Sequence, residues 1–98
     1  MKFVVSTKIK HLVPPEVTLK LINAVEPWQK QWGGKIEQTW SFAGIQGGGG
    51  ILNVESLEEL DAVMGSFPLL GVSDVEILPI VELGVALKRS KKALEARI

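Results

Sequence analysis

Residues Gly34 to Leu83 read GKIEQTWSFAGIQGGGGILNVESLEELDAVMGSFPLLGVSDVEILPIVEL, and the order of elements in this stretch decides the fold. Lys35 to Phe42 alternate as a strand does, with Ile36, Gln38, Trp40 and Phe42 on one face and Glu37, Thr39 and Ser41 on the other. The run Gly44-Ile45-Gln46-Gly47-Gly48 suits a hairpin turn, because glycine accepts the positive φ values such turns require. Ile51 to Val54 returns as the next strand. Ser56 and Glu59 have the S-x-x-E spacing of a capping box and start a helix. Leu57, Leu60, Val63, Met64 and Phe67 supply that helix with an apolar face, and Pro68 stops it. Val72 to Ile80 reads as a closing strand.

On the N-terminal side, Phe3, Val5, Thr7 and Ile9 alternate with Lys2, Val4, Ser6 and Lys8, a strand with two usable faces. Pro14-Pro15 holds Val13 extended and opens a helix. Val17, Leu21, Ala24, Val25, Trp28 and Trp32 then share one helical face. Pro27 interrupts that face, which predicts a kink or a second short helix beginning near it. Gly33-Gly34 ends the element. Strand, helix, strand, strand, helix, strand is the βαββαβ order of a ferredoxin-like α+β sandwich, here over residues 1–82. Both helices cover one sheet face. The other face keeps apolar side chains and predicts a second copy packed against it, in a homodimer or higher homo-oligomer.

Residues 83–98 are a separate, basic amphipathic helix, with Leu83, Leu87, Leu94 and Ile98 on its stripe. Five basic residues against one acidic give it a charge of +4, while residues 1–82 hold six basic and ten acidic residues, or −4. A positive tail on a negative body points to docking on its own fold or on a neighbouring subunit. The run Lys88-Arg89-Ser90-Lys91-Lys92 has no interleaved aromatic residue, so the expectation is a solvated helix face rather than nucleic-acid binding.

The composition is that of an ordinary globular domain, 46% apolar and 22% charged over 98 residues. With no cysteine, disulfides and thiolate chemistry are excluded. No segment offers the roughly 20 apolar residues of a membrane-spanning helix, and the expected location is the cytoplasm.

The segment G-x5-W-x-x-A-G (Gly34, Trp40, Ala43, Gly44), followed by V-x-S-x-x-x-L (Val54, Ser56, Leu60) and F-P-L (Phe67 to Leu69), resembles the muconolactone isomerase family. The layout of residues 1–83 is similar throughout. The resemblance implies a dimeric α+β barrel, two sheets packed face to face. It also implies movement of a double bond in a small unsaturated lactone by proton transfer, without metal or cofactor. Ser41 and Ile45 depart from the family, which has an arginine and a histidine at these positions. Related barrels host monooxygenases and cyclases, and a non-catalytic dimeric binding or assembly protein of this fold is the rival reading.

Candidate site residues follow from chemical type and placement. Glu37, Glu26 and the single histidine, His11, are the candidate acid/base groups, Glu37 gaining a raised pKa if it faces an apolar cavity. Trp40 with Gln38, and Trp28 with Trp32, are the candidate substrate-binding residues: an aromatic wall for a flat apolar molecule, or simply core packing. The glycines Gly47 to Gly50 precede a strand rather than a helix, so they lack the context of a phosphate-binding loop. No metal site is expected, since no second histidine or cysteine exists to join His11.

Overall fold

The computed structural model describes all of residues 1–98. In chain order its elements are β1 (Lys2–Ile9), α1 (Pro15–Asn23), α2 (Val25–Trp32), β2 (Ile36–Ser41), β3 (Gly47–Asn53), α3 (Leu57–Gly65), β4 (Ser73–Ile80) and α4 (Leu83–Glu95). The strands form one sheet in the order β2-β3-β1-β4, with every neighbouring pair antiparallel. This is the ferredoxin-like α+β arrangement read from the sequence.

Register divides the side chains between two faces. Phe3, Val5 and Thr7 of β1 point toward the helices and are buried, as does their β3 partner Leu52. On β4, Val75 and Ile77 pair with Thr7 and Val5 and join this inner face. Val63 and Met64 of α3 close the core, together with Val54. The outer face carries Val4, Ile51, Leu78, Ile80 and Trp40, none fully buried and Leu78 half exposed.

Pro27 falls within the first turn of α2, where its missing amide removes no intrahelical bond. The chain breaks at Ala24, and a second short helix begins two residues before Pro27, the second of the two outcomes read from the sequence. Ser56 caps α3 as its spacing suggests, accepting the Glu59 amide at 3.1 Å.

Two expectations are corrected. Gly47 and Gly48 are not turn residues: with Gly49 and Gly50 they are the first four positions of β3, which starts four residues before Ile51. They run so close to both neighbours that a Cβ would stand 2.1 Å from the Thr7 carbonyl oxygen at Gly47 and 2.4 Å from that of Val5 at Gly49. The simple alternation read for β2 also fails, because a bulge lies between Ile36 and Gln38. Ile36 pairs with Leu52 and packs on the core, while Gln38 pairs with Ile51 and Trp40 with Gly49 on the outer face. The extra residue turns Glu37 outward as well, where it meets Lys2 and Asn53.

The terminal helix α4 extends beyond the sandwich. None of its residues is buried, and Leu83, Leu87 and Leu94 are 70%, 48% and 59% exposed.

Candidate functional site

Between α1–α2 and the inner sheet face lies a cleft of about 370 Å³. Its helical wall is Thr18, Ile22, Val25 and Gln29, spaced as one stripe across both helices. Its floor is β1 and β3, where the lack of side chains at Gly48 and Gly50 leaves a hollow beside Val5 and Thr7. Thr39 and Ser41 of β2 form the far edge. Met64, Phe67 and Leu69 complete the apolar end.

A small polar knot holds this wall in place. Trp28 donates its indole N–H to the Val63 carbonyl at 3.0 Å and lies 3.2 Å from Ser66 Oγ. Trp32 donates to the same hydroxyl at 3.0 Å, and Ser66 in turn donates to the Ala62 carbonyl at 2.9 Å. The Trp28 and Phe67 rings meet at a tilt of 59° with centroids 5.0 Å apart, a favourable edge-on geometry. Trp28 therefore serves both readings, packing α2 on α3 while presenting surface to the cleft. Trp32 belongs to the packing alone, since it does not line the cleft.

The other sequence candidates are dispersed. Trp40 borders the cleft at the sheet edge, its indole nitrogen 2.7 Å from where a Cβ on Gly49 would stand. Gln38 lies on the outer face with it. Glu37 is also outside, its carboxylate 3.1 Å from Lys2 Nζ and accepting from Asn53 Nδ2 at 2.9 Å. The hydrogen bond to Lys2, then that to Asn53, holds its pKa below the usual carboxylate range, the reverse of the rise that burial in an apolar cavity would cause. Glu26 is exposed in the first turn of α2, and His11 is exposed after β1 with its backbone amide on the Val72 carbonyl. None of these three carboxylate or imidazole groups lines the cleft.

A second charged cluster ties the start of β2 to α3. Lys35 Nζ lies 3.0 Å from Glu59 and 3.8 Å from Glu55. The hydrogen bond between Lys35 and Glu59 pushes the lysine pKa up and the glutamate pKa down.

Sequence reasoning missed Thr18, Ile22, Gln29, Thr39, Ser41 and Gln46, all of which line the cleft. The signal for the first three was a stripe at 18, 22, 25 and 29, adjacent to the more apolar one beginning at Val17. Val17 itself is 42% exposed.

No protein-family model matches the chain, and no curated protein matches it in sequence. Solved structures do match. The chain is similar to muconolactone isomerase, at 23% identity over 84% of this chain and 90% of that one, with a TM-score of 0.74. It is also similar to 5-chloro-2-hydroxyhydroquinone dehydrochlorinase from Burkholderia phenoliruptrix AC1100, solved in complex with 2,5-dihydroxybenzoquinone. That likeness is 17% identity over 84% of this chain and 95% of that one, with a TM-score of 0.65. The class defined is thus the α+β fold of muconolactone isomerase, the fold that the sequence resemblance implied. The likeness is one of fold. No helix of the chain is long and apolar enough to cross a membrane.

Proposed function

We propose that the cleft binds a compact, largely apolar small molecule, of lactone or related ring type, and that the chain is a small-molecule protein of the muconolactone isomerase kind. The observation that carries this reading is the cleft itself: its volume of about 370 Å³ suits a small ring compound, and its walls mix apolar surface with a few neutral polar groups. The names of both similar structures, an isomerase and a dehydrochlorinase of small molecules, support it.

In the isomerase-like form of this proposal, a bound lactone loses and regains a proton without a cofactor. Glu37, Glu26 and His11 are its acid/base candidates; none lines the cleft of its own chain, and Glu37 stands on the opposite side of the sheet from it. The second reading, a binding protein without chemistry, is favoured by the neutral lining. The proposed assembly is a homodimer joined through the outer sheet face, which exposes Trp40, Leu78 and their neighbours.

Tryptophan fluorescence titration with butenolides and quinones tests the binding. Saturable quenching is expected, and the apparent affinity should fall in Ile22→Trp, which narrows the cleft. Absence of binding by every ring compound tried would overturn the reading. Incubation of a bound butenolide in deuterated water separates the two forms. Deuterium entering the ligand, and ceasing to do so in Glu37→Gln, Glu26→Gln or His11→Ala, supports catalysis; no exchange supports binding alone.

A further inference from the structure

The chemistry of the cleft wall limits the charge of what it can hold. None of the 21 residues lining the cleft has an ionisable side chain. Its polar side-chain groups are hydroxyls, amides and the indole N–H groups of Trp28 and Trp40, all uncharged. Three of the hydroxyls already donate inside the chain: Thr7 to the Gly48 carbonyl at 3.2 Å, Ser41 to the Gly47 carbonyl at 3.4 Å and Thr18 to the Pro14 carbonyl at 3.3 Å. They keep lone pairs for a donor on a ligand. The Thr39 hydroxyl and the Gln29 and Gln46 amides can both donate and accept, while the Trp40 indole N–H at the rim donates only and that of Trp28 is already bonded to the Val63 carbonyl.

No cation reaches the lining: Lys8, Lys20 and Lys30 neighbour lining residues but are exposed and do not line the cleft, and three others are paired. Lys2 pairs with Glu37 on the outer face, Lys35 pairs with Glu59 beside α3, and Lys10 stands 3.7 Å from Asp74 at the β4 edge. A carboxylate entering the cleft would shed water without meeting a counter-charge, a cost that a neutral carbonyl or hydroxyl avoids by bonding to the amides and hydroxyls.

We propose that the cleft, taken as the small-molecule site argued above and resting on that reading, is selective for uncharged ligands. Its ligand is a flat apolar compound with a neutral hydrogen-bonding group, such as a lactone, quinone or carboxamide carbonyl or a hydroxyl, and it rejects the matching carboxylate. Ser41 is the position that sets this preference. It ends β2 at the exposed rim of the cleft, opposite Gly48, where a longer cationic side chain can reach a ligand without displacing the core.

The test uses 2-naphthamide and 2-naphthoate, two probes of nearly equal size that differ in charge, titrated calorimetrically into the full chain at neutral pH. The amide is expected to bind at least about tenfold more tightly than the carboxylate. Ser41→Arg should narrow that gap at least about fivefold by giving the carboxylate a partner. Equal affinities, or tighter binding of the carboxylate, in the unsubstituted protein would overturn the selectivity while leaving the cleft as a binding site. Binding of neither probe would remove the cleft reading and the selectivity with it. If Ser41→Arg does not fold by circular dichroism, the comparison in the unsubstituted protein decides alone.

Discussion

Ser66 illustrates how one small side chain can organise a wall. Its hydroxyl accepts from Trp32 and Trp28 and donates back to α3. Ser66→Ala leaves the Trp32 indole without its partner in the chain, while Trp28 keeps the Val63 carbonyl. A loss of about 1–2 kcal/mol in stability is expected, measured by urea unfolding. Glu59 offers a pH test. Its pKa is depressed in the folded chain, chiefly by Lys35, so between the folded and unfolded values the unfolded chain binds more protons. The stability it contributes is present above an unfolded pKa of about 4.3 and lost as pH falls through the lower folded value. Melting temperature should therefore decline on acidification below about pH 5, and less steeply in Glu59→Gln. Lys35 has the opposite sign: its contribution is present below an unfolded pKa of about 10.4 and lost as pH rises through the higher folded value. The Ser56 cap was legible because it is a local exchange between residues three apart. The Ser66 knot was not, because its partners lie 34 and 38 positions away.

At the level of elements, β2 and β3 were legible as strands but not in their details. Alternation presumes an unbroken ladder, and the bulge at Ile36–Gln38 transfers Glu37 to the outer face without leaving a mark in the hydrophobic pattern. Four consecutive glycines resemble a turn by propensity, yet pairing with both β1 and β2 holds them extended. The candidate site suffered from the same limit. Its helical stripe was readable, but Thr39, Ser41 and Gln46 join it only through strand pairing and the β2–β3 connection. The glycine strand leads to a contrast between substitutions. Gly49→Ala puts a methyl group 2.4 Å from the Val5 carbonyl oxygen in a central strand, and is expected to cost about 3 kcal/mol as the strands move apart. Gly65→Ala, at the last residue of α3, meets no atom within 4 Å and should raise stability by about 0.5–1 kcal/mol. Thermal unfolding of the two variants checks both signs. Similar effects at the two positions would argue against close strand packing at Gly49.

At the scale of the whole molecule, two apolar surfaces have no partner within the chain: the outer sheet face and the stripe of α4. An isolated helix of 13 residues is marginal in water, and the proposed assembly would give α4 a surface to pack on. Its own sandwich does not cover it, which favours the neighbouring subunit over self-docking among the two possibilities raised by the charge pattern. The proposed assembly then has separable parts. Trp40→Glu places a charge on the outer face at the β2 edge of the sheet and should weaken sheet-to-sheet pairing, seen as a shift toward monomer in sedimentation velocity. Truncation after Glu82 removes the cationic stripe but leaves every strand and the cleft intact. Its expected effect is an association constant at least about tenfold weaker, with naphthamide binding retained, since the loss of several buried leucine contacts across subunits far exceeds that factor when the contacts are well packed. An unchanged assembly mass across the concentration range would show that α4 plays no part in it, and the sheet face alone would then account for any association.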